Sequence, residues 1–178
     1  MLANNFPRLV SDIGGTNARF AVEIAPYEFV EIKTLTCRDY PTLADAINSY
    51  LSASKYPQVK HAALAVPSPI VDDTLFMVNS PWHLSSMMQT KIDTKLDSLI
   101  FLNDFHALAL SIPHIPKEKL VKVGGEEPDS GKPICIIGPG TGLGMATLFK
   151  HPLQDEYFAL PAEGGRSSFA AVSEEEFE

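Results

Sequence analysis

The 178-residue sequence holds only two cysteines, Cys37 and Cys135, with no CxxC spacing between them. That excludes the disulfide framework by which short secreted chains staple a small core. Both thiols are expected as small buried side chains. Basic residues are scarce as well: Lys and Arg total 14 against 22 Asp and Glu, a net charge of -8. A nucleic-acid groove needs a basic face, so nucleic acid is excluded as a partner. A phosphate ligand is not excluded, because backbone N–H groups hold phosphate without any lysine. No apolar run approaches the ~18 residues that span a bilayer, and no basic-then-apolar leader opens the chain. A cytoplasmic protein with no membrane partner is the expectation. The five histidines (His61, His83, His106, His114 and His151) show no metal-ligand spacing. What remains is globular in character, since Leu, Ile, Val and Phe recur throughout and no long polar tract interrupts them.

Two periodicities organise the chain. Leu9 and Val10 lead into Asp12-Ile13-Gly14-Gly15-Thr16-Asn17, after which Phe20, Val22 and Ile24 alternate with Arg19, Ala21 and Glu23. Period two is the mark of a half-buried strand. With a third extended run over Phe29 to Leu35, the opening reads as an antiparallel meander. From Thr42 to Ala53 the period changes: Leu43, Ile47, Tyr50 and Leu51 share one face of an amphipathic helix. His61 to Val66 and Leu99 to Leu102 are short apolar runs of the kind buried in parallel sheets. A weaker helical pattern covers Ser85 to Lys91, and a further helix runs from Phe105 to Ser111, stopped before Pro113. Residues 113 to 133 are rich in Pro, Gly and charge, and mark the expected domain boundary. Beyond them a second strand–glycine turn–strand begins at Ile134 and runs to Phe149, followed by an extended run over Tyr157 to Leu160. Trp82, Met87 and Met88 read as core or rim residues.

Three groups of residues carry chemistry. Asp12-Ile13-Gly14-Gly15-Thr16 sits in a tight turn between strands, where glycines let successive N–H groups converge on an anion. Thr16 adds a hydroxyl donor. A plain hairpin would explain one or two glycines, but not an aspartate, expected to be buried, before them and Thr-Asn after them. Gly138-Pro139-Gly140-Thr141-Gly142-Leu143-Gly144 is a second such turn; it holds neither a Gly-Lys-Ser/Thr nor a G-x-G-x-x-G pattern. Two Gly/Thr hairpins can close on one polyphosphate from both sides. Asn103-Asp104 ends a buried strand, where open α/β sheets bind ligands. An aspartate there serves either as a helix N-cap or as a general base that takes a hydroxyl proton while the oxygen attacks a γ-phosphate. The phosphate turns favour the base. Glu163, on the loop Glu163-Gly164-Gly165-Arg166, is open between solvated surface and ligand.

In order and spacing these motifs resemble those of the bacterial glucokinases, members of the actin/Hsp70/hexokinase superfamily. Ser11 to Phe20 is similar to their first phosphate motif, and Leu102 to Ala107 to their sugar-binding and catalytic segment. Gly138 to Gly144 is similar to their second phosphate motif, and Pro161 to Gly165 to the segment that supplies a sugar-binding glutamate. The resemblance implies a ribonuclease H-like α/β fold with a mixed sheet and flanking helices. It implies ATP-dependent phosphorylation of glucose at its 6-hydroxyl, with Asp104 as base and Asn103, Glu163 and Arg166 at the sugar. Asp12, Ile13, Gly14, Gly15, Thr16 and Asn17, with Gly140, Thr141 and Gly142, would cradle ATP phosphates, with Mg²⁺ held through water by Asp12. Arg166 departs from the family, many of whose members carry histidine there; arginine is longer and always charged.

The implied domains are residues 1–112, a small α/β domain, and residues 113–178, the beginning of a larger one. The family's chain continues with another sugar-binding glutamate, an adenosine-binding glycine motif and a closing helix. A capping-box pattern from Ser173 to Glu176, just before Glu178, therefore reads as an early end. The alternative function is a sugar-binding or regulatory protein of the same fold, against which Asp104 argues, since a binder needs no base. An apolar edge left open would favour a homodimer.

Overall fold

In the computed structural model the described residues are 5–68, 70–77, 79–127, 129, 131–139, 142–154, 156–162 and 164. They form two compact units, Met1–Asp104 and Phe105–Glu178.

The first unit is built on a five-stranded mixed sheet. Strands β1 (Arg8–Ile13), β2 (Asn17–Ala25) and β3 (Glu28–Thr36) form the expected antiparallel meander. Two further strands of the same sheet, β4 (His61–Val66) and β8 (Ser98–Asn103), run parallel to β1 and to one another, giving the order β3-β2-β1-β4-β8. Between them lies a small sheet the sequence pattern does not announce: β5 (Ile70–Val71), β6 (Thr74–Phe76) and β7 (Leu84–Ser86). Strands of two or three residues are too short to carry a period.

Register explains which face is dry. Val22, Leu9, Ala62 and Leu99 form one row across four strands, and Phe20, Ser11, Leu64 and Phe101 the next but one. Helix α1 (Leu43–Ser52) lays its apolar face on these rows, with Tyr50 stacked on Phe20 at 5.2 Å between ring centroids. Its start is fixed by a reciprocal cap: the Thr42 hydroxyl accepts from the Asp45 N–H, and the Asp45 carboxylate accepts from the Thr42 N–H. Truncating Ile47, fully buried in this core, to alanine would cost about 2–5 kcal/mol. The Ser11 hydroxyl is buried among these rows with no hydrogen-bond partner among the described residues. Helix α2 (Met87–Thr94) begins two residues later than the pattern suggests, capped by Ser86, and ends on Lys95 in the left-handed region. Trp82 and Met77 are buried, whereas Met88 is exposed.

The second unit contains α3 (Asp104–Ser111) from Phe105 onward and a three-stranded antiparallel sheet, β11 (Tyr157–Ala162), β10 (Leu143–Lys150) and β9 (Ile134–Pro139). Its core is small: Ala109, Ile136, Ala146, Leu148 and Ala159, flanked by Phe105, Leu110, Ile112 and Tyr157. The two cysteines part company. Cys37 is buried as expected, but Cys135 is exposed, because it lies on β9 at the edge of this thin sheet, where alternation turns it away from Ile136. The capping-box pattern at Ser173 lies outside the described residues.

Candidate active site

Strands β1 and β8 flank β4 and run parallel to it, so their carboxyl ends open on the same edge of the sheet. Asp12 is level with Ala65, and Ala65 with Leu102. Two strand spacings separate β1 from β8, so the turn after β1 and the pair Asn103-Asp104 after β8 lie roughly 10 Å apart at that edge. Such an edge is where open α/β sheets take their ligands.

The first turn is tied down from within. The Gly14 N–H donates to the Asn17 carbonyl at 2.8 Å, and the Cys37 N–H donates to the Thr16 carbonyl at 2.8 Å. The Cys37 thiol donates to the Gly14 carbonyl at 3.5 Å. Burial pushes the Cys37 thiol pKa up, which keeps the proton that this bond requires. Three turn carbonyls are thus engaged, while the N–H groups of Gly15 and Thr16 donate to no other described residue. Carbonyls repel an anion and N–H groups attract one, so the arrangement leaves two donors available to a phosphate. Gly15 is required sterically: a Cβ there would meet the Asn79 carbonyl oxygen at 2.5 Å.

Asp12 is not buried. Alternation along β1 puts it on the face opposite Leu9, Ser11 and Ile13, and its side chain is 65% exposed, with the Arg19 guanidinium 3.9 Å away across the β1–β2 pair. Expectation and structure differ because Asp12 falls on the even positions of a strand whose odd positions face the core. Ile13 fills that core, and Asn17 opens β2.

Asn103 closes β8 and Asp104 opens α3. A carboxylate in the first helical turn is favoured by the N–H groups and dipole at that end, and both residues are engaged by neighbours.

The second glycine turn is packed differently. Strand β9 ends at Pro139 and β10 begins at Leu143, with Gly142 beside it. The Phe105 ring lies where a Cβ on Gly138 or Gly144 would stand, 2.7 Å and 1.9 Å from those positions. Gly140, Thr141, Glu163 and Arg166 lie outside the described residues.

Three residues at this edge escape sequence reasoning: Cys37, Asn79 and Trp82. None belongs to a motif. The only signal pointing to one of them is Gly15, whose missing side chain announces a close neighbour without naming it. Among the described residues no group of three metal-ligating side chains gathers, and no helix is long and apolar enough to cross a membrane.

The Glucokinase family profile matches residues 9–178. The glucokinase of Chromobacterium violaceum is 43% identical over 175 residues, covering 98% of this chain and 49% of that protein. That of Neisseria gonorrhoeae is 44% identical over 165 residues, covering 93% of this chain and 49% of that protein. Among solved structures, a glucokinase from an Antarctic psychrotroph superposes with a TM-score of 0.77 at 34% identity, covering 96% of this chain and 54% of that one. A ROK family glucokinase from Streptomyces griseus, solved with glucose and AMPPNP, shares the fold at 18% identity and a TM-score of 0.57, covering 79% of this chain and 44% of that one. The chain spans about half the length of the relatives it matches. On the family profile and on identity along nearly all its residues, the chain belongs to the glucokinase family.

Proposed function

We propose that the protein carrying this chain is an ATP-dependent glucokinase, transferring the γ-phosphoryl group of ATP to the 6-hydroxyl of glucose. The observation that carries the reading is the shared sheet edge: two N–H donors at Gly15 and Thr16 on one strand end, and Asp104 two strands away. A neighbour of the same fold solved with glucose and AMPPNP supports it.

In this scheme Asp104 accepts the proton of the 6-hydroxyl, and Asn103, Glu163 and Arg166 hold the remaining hydroxyls. Asp12 to Asn17 and Gly140 to Gly142 hold the phosphates. Phosphoryl transfer needs little covalent help from protein, so positioning and charge neutralisation do most of the work. Mg²⁺ fits the donor set, because it binds through one or two carboxylates, several waters and substrate phosphates, and Asp12 offers an exposed carboxylate. Bound there through water, it would neutralise charge on the phosphate oxygens. In this scheme residues 1–112 would be the small domain of the ribonuclease H-like pair and residues 113–178 the start of the larger one, a boundary eight residues beyond the break between the two compact units at Asp104. We take the protein to act in the cytoplasm, where ATP is available. A homodimer is the assembly we favour, on the strength of exposed apolar side chains such as Ile92 and Ile100.

The test is glucose-dependent ADP formation by the parent and by Asp104→Asn. Loss of a general base lowers turnover about 10²- to 10⁴-fold. Equal turnover removes Asp104 from the role, and a parent that binds glucose without turnover points to the sugar-binding alternative.

A further inference from the structure

The Gly14–Thr16 turn is gripped by two segments that are distant in sequence, and one side chain joins them. The first segment is the single 3-10 turn Cys37–Asp39, whose Cys37 holds the carbonyls of Thr16 and Gly14. The second is the loop from Met77 to His83, closed by the Met77 N–H donating to the His83 carbonyl at 2.9 Å and the Ser80 N–H donating to the Met77 carbonyl at 3.2 Å. This loop sets the Asn79 peptide against Gly15. Trp82, 3% exposed, bridges the two: its indole N–H donates to the Tyr40 carbonyl at 2.9 Å, and the Tyr40 N–H donates to the Cys37 carbonyl at 3.2 Å. Its own main chain is fixed by the Ser80 and Ser85 hydroxyls.

From this chain of contacts we infer that Trp82 is a positioning residue for the phosphate turn, acting through Tyr40 and Cys37 on one side and through Asn79 on the other. The inference rests on the phosphate-binding role proposed for Gly15 and Thr16. A turn whose donors must point at one anion gains affinity when its conformation is fixed before binding. A buried indole N–H that has lost or strained its acceptor is unfavourable, so occupancy of the turn and the Trp82 bond are coupled. Trp82 is the sequence's single tryptophan, which makes the coupling visible in its emission.

Titration of the full chain with MgATP, followed by tryptophan emission and by calorimetry together, tests this. The emission is expected to change along the calorimetric isotherm, with the same midpoint. Trp82→Phe, which keeps an aromatic ring and drops the N–H, is expected to bind MgATP about 5- to 10-fold more weakly at an unchanged far-UV circular dichroism spectrum. Should that variant not fold, Cys37→Ala keeps the tryptophan and removes the thiol bond to Gly14, with a several-fold loss expected; unchanged affinity there overturns the inference. Flat emission during calorimetrically saturable binding overturns it, and so does parent-like affinity in Trp82→Phe. Absence of any binding by the parent, both to MgATP and to magnesium tripolyphosphate, which needs no adenosine site, is a different failure: it removes the phosphate role of the turn, and this inference with it.

Discussion

The two glycine turns look alike in sequence and are held by different physics. At Gly14–Thr16 the constraints are hydrogen bonds: carbonyls drawn inward by Cys37 and by the turn's own Gly14 N–H, and a peptide from Asn79 packed on Gly15. At Gly138 and Gly144 the constraint is a ring, with Phe105 filling the space that two side chains would take. The first arrangement fixes where N–H groups stand. The second fixes how close a helix residue comes to strands β9 and β10. Glycine spacing alone does not distinguish an anion cradle from a packing notch. What separates Gly15 from Gly138 and Gly144 is the neighbour that fills the place of the missing side chain, a peptide in one case and a ring in the other.

Substitution should separate the two. Gly15→Ala is expected to cost the more, about 2–3 kcal/mol, although its clash at 2.5 Å is the milder by distance. The obstacle there is a backbone carbonyl, which cannot rotate away. Gly144→Ala meets Phe105 at 1.9 Å, but a ring can swing about its side-chain torsions, and about 1–2 kcal/mol is expected. Urea unfolding measures both. Pairing each with its neighbour sharpens the contrast: Phe105→Leu should recover most of the Gly144→Ala loss, whereas Asn79→Gly should recover little of the Gly15→Ala loss. Reversal of that pattern would show that the rigid and yielding contacts had been assigned the wrong way round.

A smaller effect belongs to the first unit alone. Burial, reinforced by the Glu31 charge, pushes the Tyr50 hydroxyl up to about 12, where it donates to the Glu31 carbonyl at 2.9 Å. The unfolded chain ionises near 10, so this contribution is whole below pH 10 and fades as pH climbs from there toward 12. Melting temperature of the first unit should fall over that interval, and Tyr50→Phe should flatten the fall. The Glu31 carboxyl is lowered by hydrogen bonds from the Ser54 hydroxyl and the Lys55 N–H, so its contribution is present above its ordinary range and lost on acidification through the folded value.

Much of this fold was legible because its elements bury one face each. His61 to Val66 declares a buried parallel strand by composition, and Thr42 with Asp45 declares where α1 begins. The tight turn after β1 was legible through its glycines. Three things were not. Asp12 was expected inside and stands outside, because the phase of a six-residue strand is set by its neighbours' register and not by its own residues. The sheet of β5, β6 and β7 is too short to carry a period. The contacts of Cys37, Asn79 and Trp82 join segments far apart along the chain, and nothing local to any of them encodes the other two.

The central claim is that Gly15 and Thr16 present their N–H groups to the phosphates of ATP, and amide NMR addresses those two protons directly. On titration of the ¹⁵N-labelled chain with MgATP, the Gly15 and Thr16 amide resonances should move downfield together, saturate, and move further than those of Gly124 and Gly125, where an added Cβ would meet no described atom within 4 Å. Saturable binding that leaves Gly15 and Thr16 unmoved would contradict it.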